Sequence, residues 1–388
     1  MKRQRIGLKF GGTSVADDEC LRTVALRVQE YIRDGYDVFV VVSAQGITTD
    51  TLLTEAYRLD PNASRREVDQ LITTGEIRSA AKLAIVLCSM GMNARSFTGQ
   101  QAGIATDGVY GASSVVAIDP TPIQQAWRDN VVPVIAGFQG VCGKDITAFK
   151  RGGSETTLVD MAYALDVPLV VVFKDVEGIY TARPSEVSHA IKLSRLSHAE
   201  MVELARNGTE AIALEAADAA RQHNVAILVR STFSPEASGT LISFQSGTSR
   251  VVVGISTQAG YIKITPRDST PAGARELLVT LDQAGVSVDM SDGVSVTAMS
   301  TDISERVLSL VPAICEQTIP LAFTKITLVG EGMRENSGVL ADVRTVVEAQ
   351  LGVRIHLLTT SEIAISILVE SDVSKAVVRA LHAHFFSS

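Results

Sequence analysis

Two short stretches combine residue types that handle phosphate with residue types that grip a carboxylate. KFGGTSVAD, Lys9 to Asp17, sets a lysine and two glycines after an apolar lead. Bare backbone amides and an ammonium can then approach one anion closely. RGGSETT, Arg151 to Thr157, puts an arginine beside a second glycine pair, followed by Ser154 and Glu155. Val159, Met161 and Leu165 predict that this stretch opens a helix, whose N-terminus favours anions. TTGEIRSAAK carries Glu76 in the first turn of another predicted helix, and SAQGITT follows an apolar run with Ser43, Thr48 and Thr49. Small and hydroxylic residues at the C-terminal end of a strand are where open α/β sheets hold ligands. Each residue also has a plainer role: Lys9 as a surface lysine, Glu76 as a helix-start acid, the hydroxyls as caps and turn formers.

Those side chains can converge only if a sheet brings them to one edge. Strands are predicted at Ile6 to Phe10, Val38 to Val42, Val131 to Ala136, Leu169 to Phe173 and Val225 to Val229. Between them the spacing predicts a helix over Cys20 to Tyr31, one starting near Thr73 or Thr74, and an alanine-rich one over Glu200 to Gln222. Gly137 to Gly143 reads as a glycine-rich turn. Continuous apolar strands alternating with helices predict a mostly parallel sheet sandwiched by helices.

Gln245 to Arg250 is loop-like and marks a boundary, after which the rhythm changes. A strand at Tyr261 to Thr265, a helix at Ala272 to Ala284, two strands within Val286 to Met299 and a helix at Ile303 to Cys315 make a βαββα unit. It recurs as Lys325 to Gly330, Val339 to Leu351, Val353 to Leu358, Ile363 to Val369 and Val373 to His384, a repeat of roughly 65 residues. The second copy ends before its last strand. Val251 to Ser256 is therefore assigned to that open edge, which makes the first copy an insertion in the second. The expected domains are 1–245 and 251–388, the latter with a first copy at about 260–321 inside a second made of 251–258 plus 324–388.

The bulk numbers narrow the class. A chain of 388 residues, 46% apolar with a formal charge of −8, is too long for one core and carries no basic block. Nucleic-acid binding, which depends on neutralising many phosphates, is not expected. Cys20, Cys88, Cys142 and Cys315 show no CxxC pair, so neither a zinc site nor a disulfide framework is indicated. No stretch approaches about 18 apolar residues, which leads to the expectation of a cytoplasmic protein without a membrane partner.

KFGGTSVAD and RGGSETT, with the order of the segments between them, resemble the aspartokinases over nearly the whole chain. The resemblance implies an amino-acid kinase fold followed by two ferredoxin-like α+β ACT domains. The implied activity is ATP-dependent phosphorylation of the side-chain carboxylate of L-aspartate to 4-phospho-L-aspartate, the first step of the aspartate-family amino-acid pathway. ATP and Mg2+ are the implied cofactors, and no metal ligand is assigned. By the same resemblance Lys9 contacts the transferred phosphoryl group, Gly11, Gly12 and Ser14 shape the loop, and Arg151 grips the substrate's carboxylate. Glu76 takes its ammonium, and Ser43, Thr48 and Ser154 line the pocket. Glu155 stands where the family has aspartate and helps to organise the reacting centre.

KDVEGIYTARP resembles the family's ATP-binding TDVDGVYTADPR and retains Asp175, Gly178, Tyr180 and Pro184. Lys174 and Arg183 depart from that pattern, and Glu210 replaces a lysine that reaches the ATP phosphates. The expectation is that Lys174 or Arg183 restores the lost cation. In the tail, Asp268 and Gly273 in the first copy and Thr360, Ser361 and Glu362 in the second resemble the family's effector site, although Asp268 and its neighbours also suit an ordinary turn. A short turn at Ser291 to Gly293 leads to the expectation of weak or absent feedback by lysine or threonine, with homodimerisation through the ACT domains kept. Two other functions remain open: a kinase for a different acidic amino acid, and a non-catalytic amino-acid-sensing subunit.

Overall fold

The computed structural model describes residues 3–245, 250–268, 270–302, 315–318, 322–333, 336 and 338–387. The chain divides into two compact units. The first comprises Met1–Ile179, Lys192–Val202 and Glu210–Gly247; the second comprises Tyr180–Ile191, Glu203–Thr209 and Thr248–Ser388.

The chain begins with strand β1 (Arg5–Phe10) and helix α1 (Asp18–Arg33), which Asp17 caps by accepting the Cys20 N–H at 2.8 Å. It continues through β2 (Asp37–Val42), α2 (Thr48–Leu59), α3 (Arg65–Ile72), α4 (Thr74–Ser89), β3 (Ala94–Phe97), β4 (Ile104–Thr106) and β5 (Val115–Ile118). Then follow α5 (Thr121–Arg128), β6 (Val132–Ala136), β7 (Gln139–Cys142), β8 (Asp145–Ala148), α6 (Gly153–Ala164) and β9 (Leu169–Lys174). The run closes with β10 (Arg195–Ser197), α7 (His198–Arg206), α8 (Leu214–His223), β11 (Ala226–Ser231) and β12 (Thr240–Ser243).

Eight strands form the main sheet in the order β10-β12-β11-β9-β1-β2-β6-β3, parallel except where β12 meets β11. The mostly parallel sheet is thus as expected. Alternation along the central strand decides which side chains reach the site. Ile6, Leu8 and Phe10 pack in one core with Leu21 and Val24 of α1 and Leu83 and Leu87 of α4. Gly7 and Lys9 occupy the other face, against α6. A Cβ at Gly7 would lie 3.0 Å from Leu158 and closer still to the Phe39 ring, so only glycine fits there.

Two expectations are corrected in this part of the chain. The single helix over Glu200 to Gln222 is two helices, α7 and α8. The Asn207 amide donates to the Glu203 carbonyl at 2.8 Å and Gly208 takes φ +102°, a combination that ends the first helix. Gly137 to Gly143 is not a turn, because Gln139–Cys142 is strand β7 of a second, four-stranded sheet in the order β5-β4-β7-β8. Its strands are three or four residues long, too short for an alternation to be read.

The second unit is built on β13 (Gly254–Pro266), α9 (Pro271–Gln283), β14 (Val296–Met299), β15 (Cys315–Thr318), β16 (Phe323–Val329) and α10 (Gly338–Arg344). Helix α10 runs on into a π-helical turn at Thr345–Gln350, followed by β17 (Leu357–Thr360), β18 (Ala364–Glu370) and α11 (Ser374–Phe386). The sheet order is β14-β13-β16-β18-β17, antiparallel throughout, with β15 also on β13. Gly254 to Ala259 pair with β16, and Tyr261 to Ile264 pair with β14. Between the two stretches the strand changes partner at Gly260, whose φ is +89°. The two strands expected within Val286 to Met299 reduce to β14 and a single bridge from Ser291 to Val296. The expected strand at Val353 to Leu358 begins only at Leu357. Of the helix expected at Ile303 to Cys315, Cys315 instead opens β15 and the rest lies outside the described residues, as does most of the boundary at Gln245 to Arg250. Among the described residues no helix is long and apolar enough to cross a membrane.

Candidate active site

The strands β1 and β9 end side by side, with Lys9 opposite Val172 and Phe10 opposite Phe173. This register brings the Lys9 and Lys174 side chains to one point above α6. Lys9 Nζ lies 3.1 Å from Glu155 Oε1, and Lys174 Nζ lies 3.0 Å from the same oxygen. The Lys174 ammonium also donates to the Glu210 carbonyl at 3.0 Å. Glu155 Oε2 accepts the Ala213 N–H at 2.7 Å, just before α8, where a helix start favours an anion. Burial alone would raise the Glu155 carboxyl; the Lys9 and Lys174 ammoniums and the Ala213 amide outweigh it and hold the group well below its usual range. Burial, reinforced by the Lys174 charge, pushes the Lys9 ammonium down. Two lysines on one glutamate leave a net positive centre at the strand ends, poised for an anion.

The glycine loop closes over this centre. Gly46 N–H donates to the Gly12 carbonyl at 3.0 Å, and a Cβ at Gly12 would sit 2.8 Å from the Ala44 carbonyl, so the two loops touch only because Gly12 has no side chain. Ser14 is fully buried and its hydroxyl lies 2.6 Å from that of Thr232. Ser14 therefore ties the loop to the residue that follows β11 rather than facing outward.

Beside Lys9 opens a cavity of about 320 Å³ lined by Gly12, Ser43, Thr49, Asp50, Glu76, Gly111, Phe138, Phe149, Arg151 and Ser154, among others. Glu76 is buried at 3% exposure, its Oε1 accepts the Ala44 N–H at 3.0 Å, and its Oε2 has no hydrogen-bond partner among the described residues. Burial raises its carboxyl to about 7. Arg151, an exposed residue of the lining, pairs with Asp50 at 2.9 Å. Gly152 precedes α6 with φ +88°, and a Cβ there would stand 2.3 Å from that of Ala213. Phe138 holds φ +67°, a strained position for an aromatic residue, with its N–H donating to the Thr157 hydroxyl at 3.1 Å.

Lys9, Ser43, Glu76, Arg151 and Ser154 thus meet around one cavity, with Glu155 behind Lys9. Thr48 is a correction: its hydroxyl donates to the Gln45 carbonyl at 2.6 Å, and the neighbouring Thr49 lines the cavity instead. Sequence reasoning missed Asp50, Gly111, Phe138 and Phe149. Only Asp50 carried a signal, a carboxylate two residues after Thr48 in the same turn. Of the residues expected to contact the nucleotide, Asp175 is exposed. Tyr180 and Arg183 belong to the second unit, where the Arg183 guanidinium donates to the Gly208 carbonyl.

In the second unit Asp268 accepts from the Thr270 N–H at 3.1 Å and the Thr270 hydroxyl at 2.7 Å, and Thr270 in turn caps α9 at Gly273. The approach is so close that a Cβ at Gly273 would overlap the Asp268 carbonyl at 2.0 Å. Thr360 ends β17, and the Ser361 N–H donates to the Ala364 carbonyl at 2.8 Å across the turn that holds Glu362.

Residues 4–231 match the model of the amino acid kinase family, and residues 326–385 match an ACT domain. The chain is 36% identical to the aspartokinase of Mycolicibacterium smegmatis, covering 97% of this chain and 95% of that one. It is 34% identical to the aspartokinase of Thermus thermophilus over 97% of each. The fold matches that of E. coli aspartokinase III, solved in complex with aspartate and ADP, with a TM-score of 0.81 at 21% identity over 99% of this chain and 100% of that one. A glycine-framed lysine, a cavity with opposed acid and base, and relatives of this extent agree: the chain belongs to the aspartokinases of the amino acid kinase family.

Proposed function

We propose that this protein transfers the γ-phosphoryl group of ATP to the side-chain carboxylate of L-aspartate, giving 4-phospho-L-aspartate and ADP. The observation that carries this reading is the cavity itself, which is lined by Lys9, Arg151 and buried Glu76, whose Oε2 has no hydrogen-bond partner among the described residues. A carboxylate is already a nucleophile, so the reaction needs positioning and charge more than proton transfer. Arg151 exchanges Asp50 for the substrate carboxylate and orients it with a bidentate grip. Glu76 Oε2 takes the substrate ammonium, with Ser43 and Ser154 completing the wall. Lys9 neutralises charge on the transferred group in the transition state, and Glu155 holds Lys9 in place.

For ATP, the Gly11 and Gly12 backbone and the Lys9 and Lys174 ammoniums suit the phosphates, with Asp175 as a further nucleotide contact. Lys174 is the better candidate for the cation that Glu210 no longer supplies, because it shares Glu155 with Lys9. Among the described residues no group of three or more His, Cys, Asp or Glu side chains converges. Magnesium, if it accompanies ATP here, would be held mostly by phosphate and water. We further assign residues 1–245 to catalysis and 251–388 to tandem ACT regulation. The chain is read as a cytoplasmic homodimer joined through the ACT domains, with an amino-acid effector at Asp268, Gly273 and Thr360 to Glu362.

Measuring ADP release over a panel of acidic amino acids tests the reading. Aspartate should give the highest kcat/KM. Preference for another acid would redirect the substrate, and no turnover with any of them would favour a sensing subunit.

A further inference from the structure

Asp69 lies on α3, outside the cavity, and is completely buried. A buried carboxylate is costly unless its hydrogen bonds repay it. This one accepts two backbone amides on the same oxygen, Gly111 N–H and Ala148 N–H, each at 2.9 Å. Its other oxygen has no hydrogen-bond partner among the described residues. The two amides come from separate walls of the substrate cavity. Gly111 lines it directly, and Ala148 is followed by Phe149, which lines it, and then by the turn that carries Arg151. The walls also touch each other, since the Ser113 N–H donates to the Ala148 carbonyl at 3.0 Å. One turn of α3 fastens the same pair of segments at their outer end. Arg66 meets Asp145 at 2.6 Å, and the Tyr110 hydroxyl donates to that same carboxylate at 2.8 Å.

We propose that Asp69 is a positioning residue for the amino-acid substrate, fixing the gap between the Gly111 wall and the segment that delivers Phe149 and Arg151. The inference rests on the aspartate kinase reading. None of the residues proposed above for the nucleotide lies on the stitched segments, so the effect should fall on one substrate alone. Small displacements of an orienting group are expensive for catalysis. Burial raises the Asp69 carboxyl, in keeping with a group kept for its acceptor oxygen rather than for its charge.

The test uses the full-length protein with Asp69→Leu, which removes the acceptor at similar volume, and Asp69→Asn, which keeps one oxygen for both amides. Aspartate and ATP are varied separately. Asp69→Leu should raise the aspartate KM at least tenfold with the ATP KM within twofold, whereas Asp69→Asn should stay within about threefold of the parent on both. Hydrogen exchange at the Gly111 and Ala148 amides should accelerate in Asp69→Leu and not in Asp69→Asn. An unchanged aspartate KM in Asp69→Leu, or equal rises in both KM values, overturns the proposal. Should Asp69→Leu fail to fold, Tyr110→Phe decides: a two- to fivefold rise in the aspartate KM alone supports positioning, and no change counts against it. A parent protein without aspartate turnover would instead sink the kinase reading, and the exchange measurement would still judge the stitch.

Discussion

Lys174 and Lys9 rest their ammonium groups on the same carboxylate oxygen, Oε1 of Glu155, at 3.0 and 3.1 Å. One negative charge cannot satisfy both, so the pair retains attraction for a further anion. Lys174→Met should therefore raise the ATP KM tenfold or more, about 1.4 kcal/mol of binding, while the aspartate KM stays within twofold. Arg183→Met serves as the comparison and should change the ATP KM less. Steady-state kinetics on both variants decide which lysine or arginine answers for Glu210.

Glu155→Gln removes the counter-charge beneath two ammoniums, one of them almost fully buried. Breaking a buried pair by deleting one partner costs about 3–5 kcal/mol. Urea unfolding should show a loss of that order, and a variant as stable as the parent would mean that the cluster is solvated.

The pH behaviour should follow Glu76. Its carboxyl sits at about 7 in the fold against an ordinary 4.5, so folding favours the protonated form. That stabilisation is complete below about pH 4.5 and disappears as pH rises through about 7, a swing of about 3 kcal/mol at most. Binding the substrate ammonium needs the ionised form, so kcat/KM for aspartate should rise through pH 7 as stability falls. In Glu76→Gln the melting temperature should lose this component of its pH dependence, and aspartate turnover should collapse. Parallel melting curves of parent and variant from pH 5 to 8 check the sign.

Much of this site was legible because its residues sit beside glycines that the backbone requires. Gly12 and Gly152 mark the two close approaches, and each stands next to a run carrying a functional side chain. Apolar strands such as β2 and β9 declared themselves by length and flanks. The four-stranded sheet did not, since strands as short as β4 leave no period, and with it went Gly111, Phe138 and Phe149. The Thr48 and Thr49 exchange is a one-residue matter of helix phase, which composition does not resolve. The break between α7 and α8 was hidden by alanines on both sides of Gly208, whose φ of +102° only the fold reveals.

For Arg151→Lys, the expected outcome is a rise in the aspartate KM together with a fall in kcat, because a point charge cannot reproduce a planar fork. The ATP KM should move less than twofold. Collapse of ATP binding would transfer Arg151 to the nucleotide side.

Feedback is expected to be weak. Both Asp268 oxygens already accept from Thr270, and the turn at Ser291 is closed by Asp292, which accepts from the Val294 and Ser295 amides at 2.9 and 2.6 Å. Neither lysine nor threonine at micromolar concentration should inhibit, alone or together, while sedimentation should report a dimer. Strong micromolar inhibition would show that these turns reopen around a ligand.

Strand β13 makes any dissection of the tail a poor experiment. Its first half completes the ladder on β16 and its second half the ladder on β14 and β15. A gene fragment that stops near Gly260 strips the partner from β14, and one that starts there strips one of the two partners from β16. Either product exposes a row of bare amides and carbonyls that recruits other chains. Expression work should keep all thirteen residues of the strand together, and swaps with relatives should exchange the tail whole.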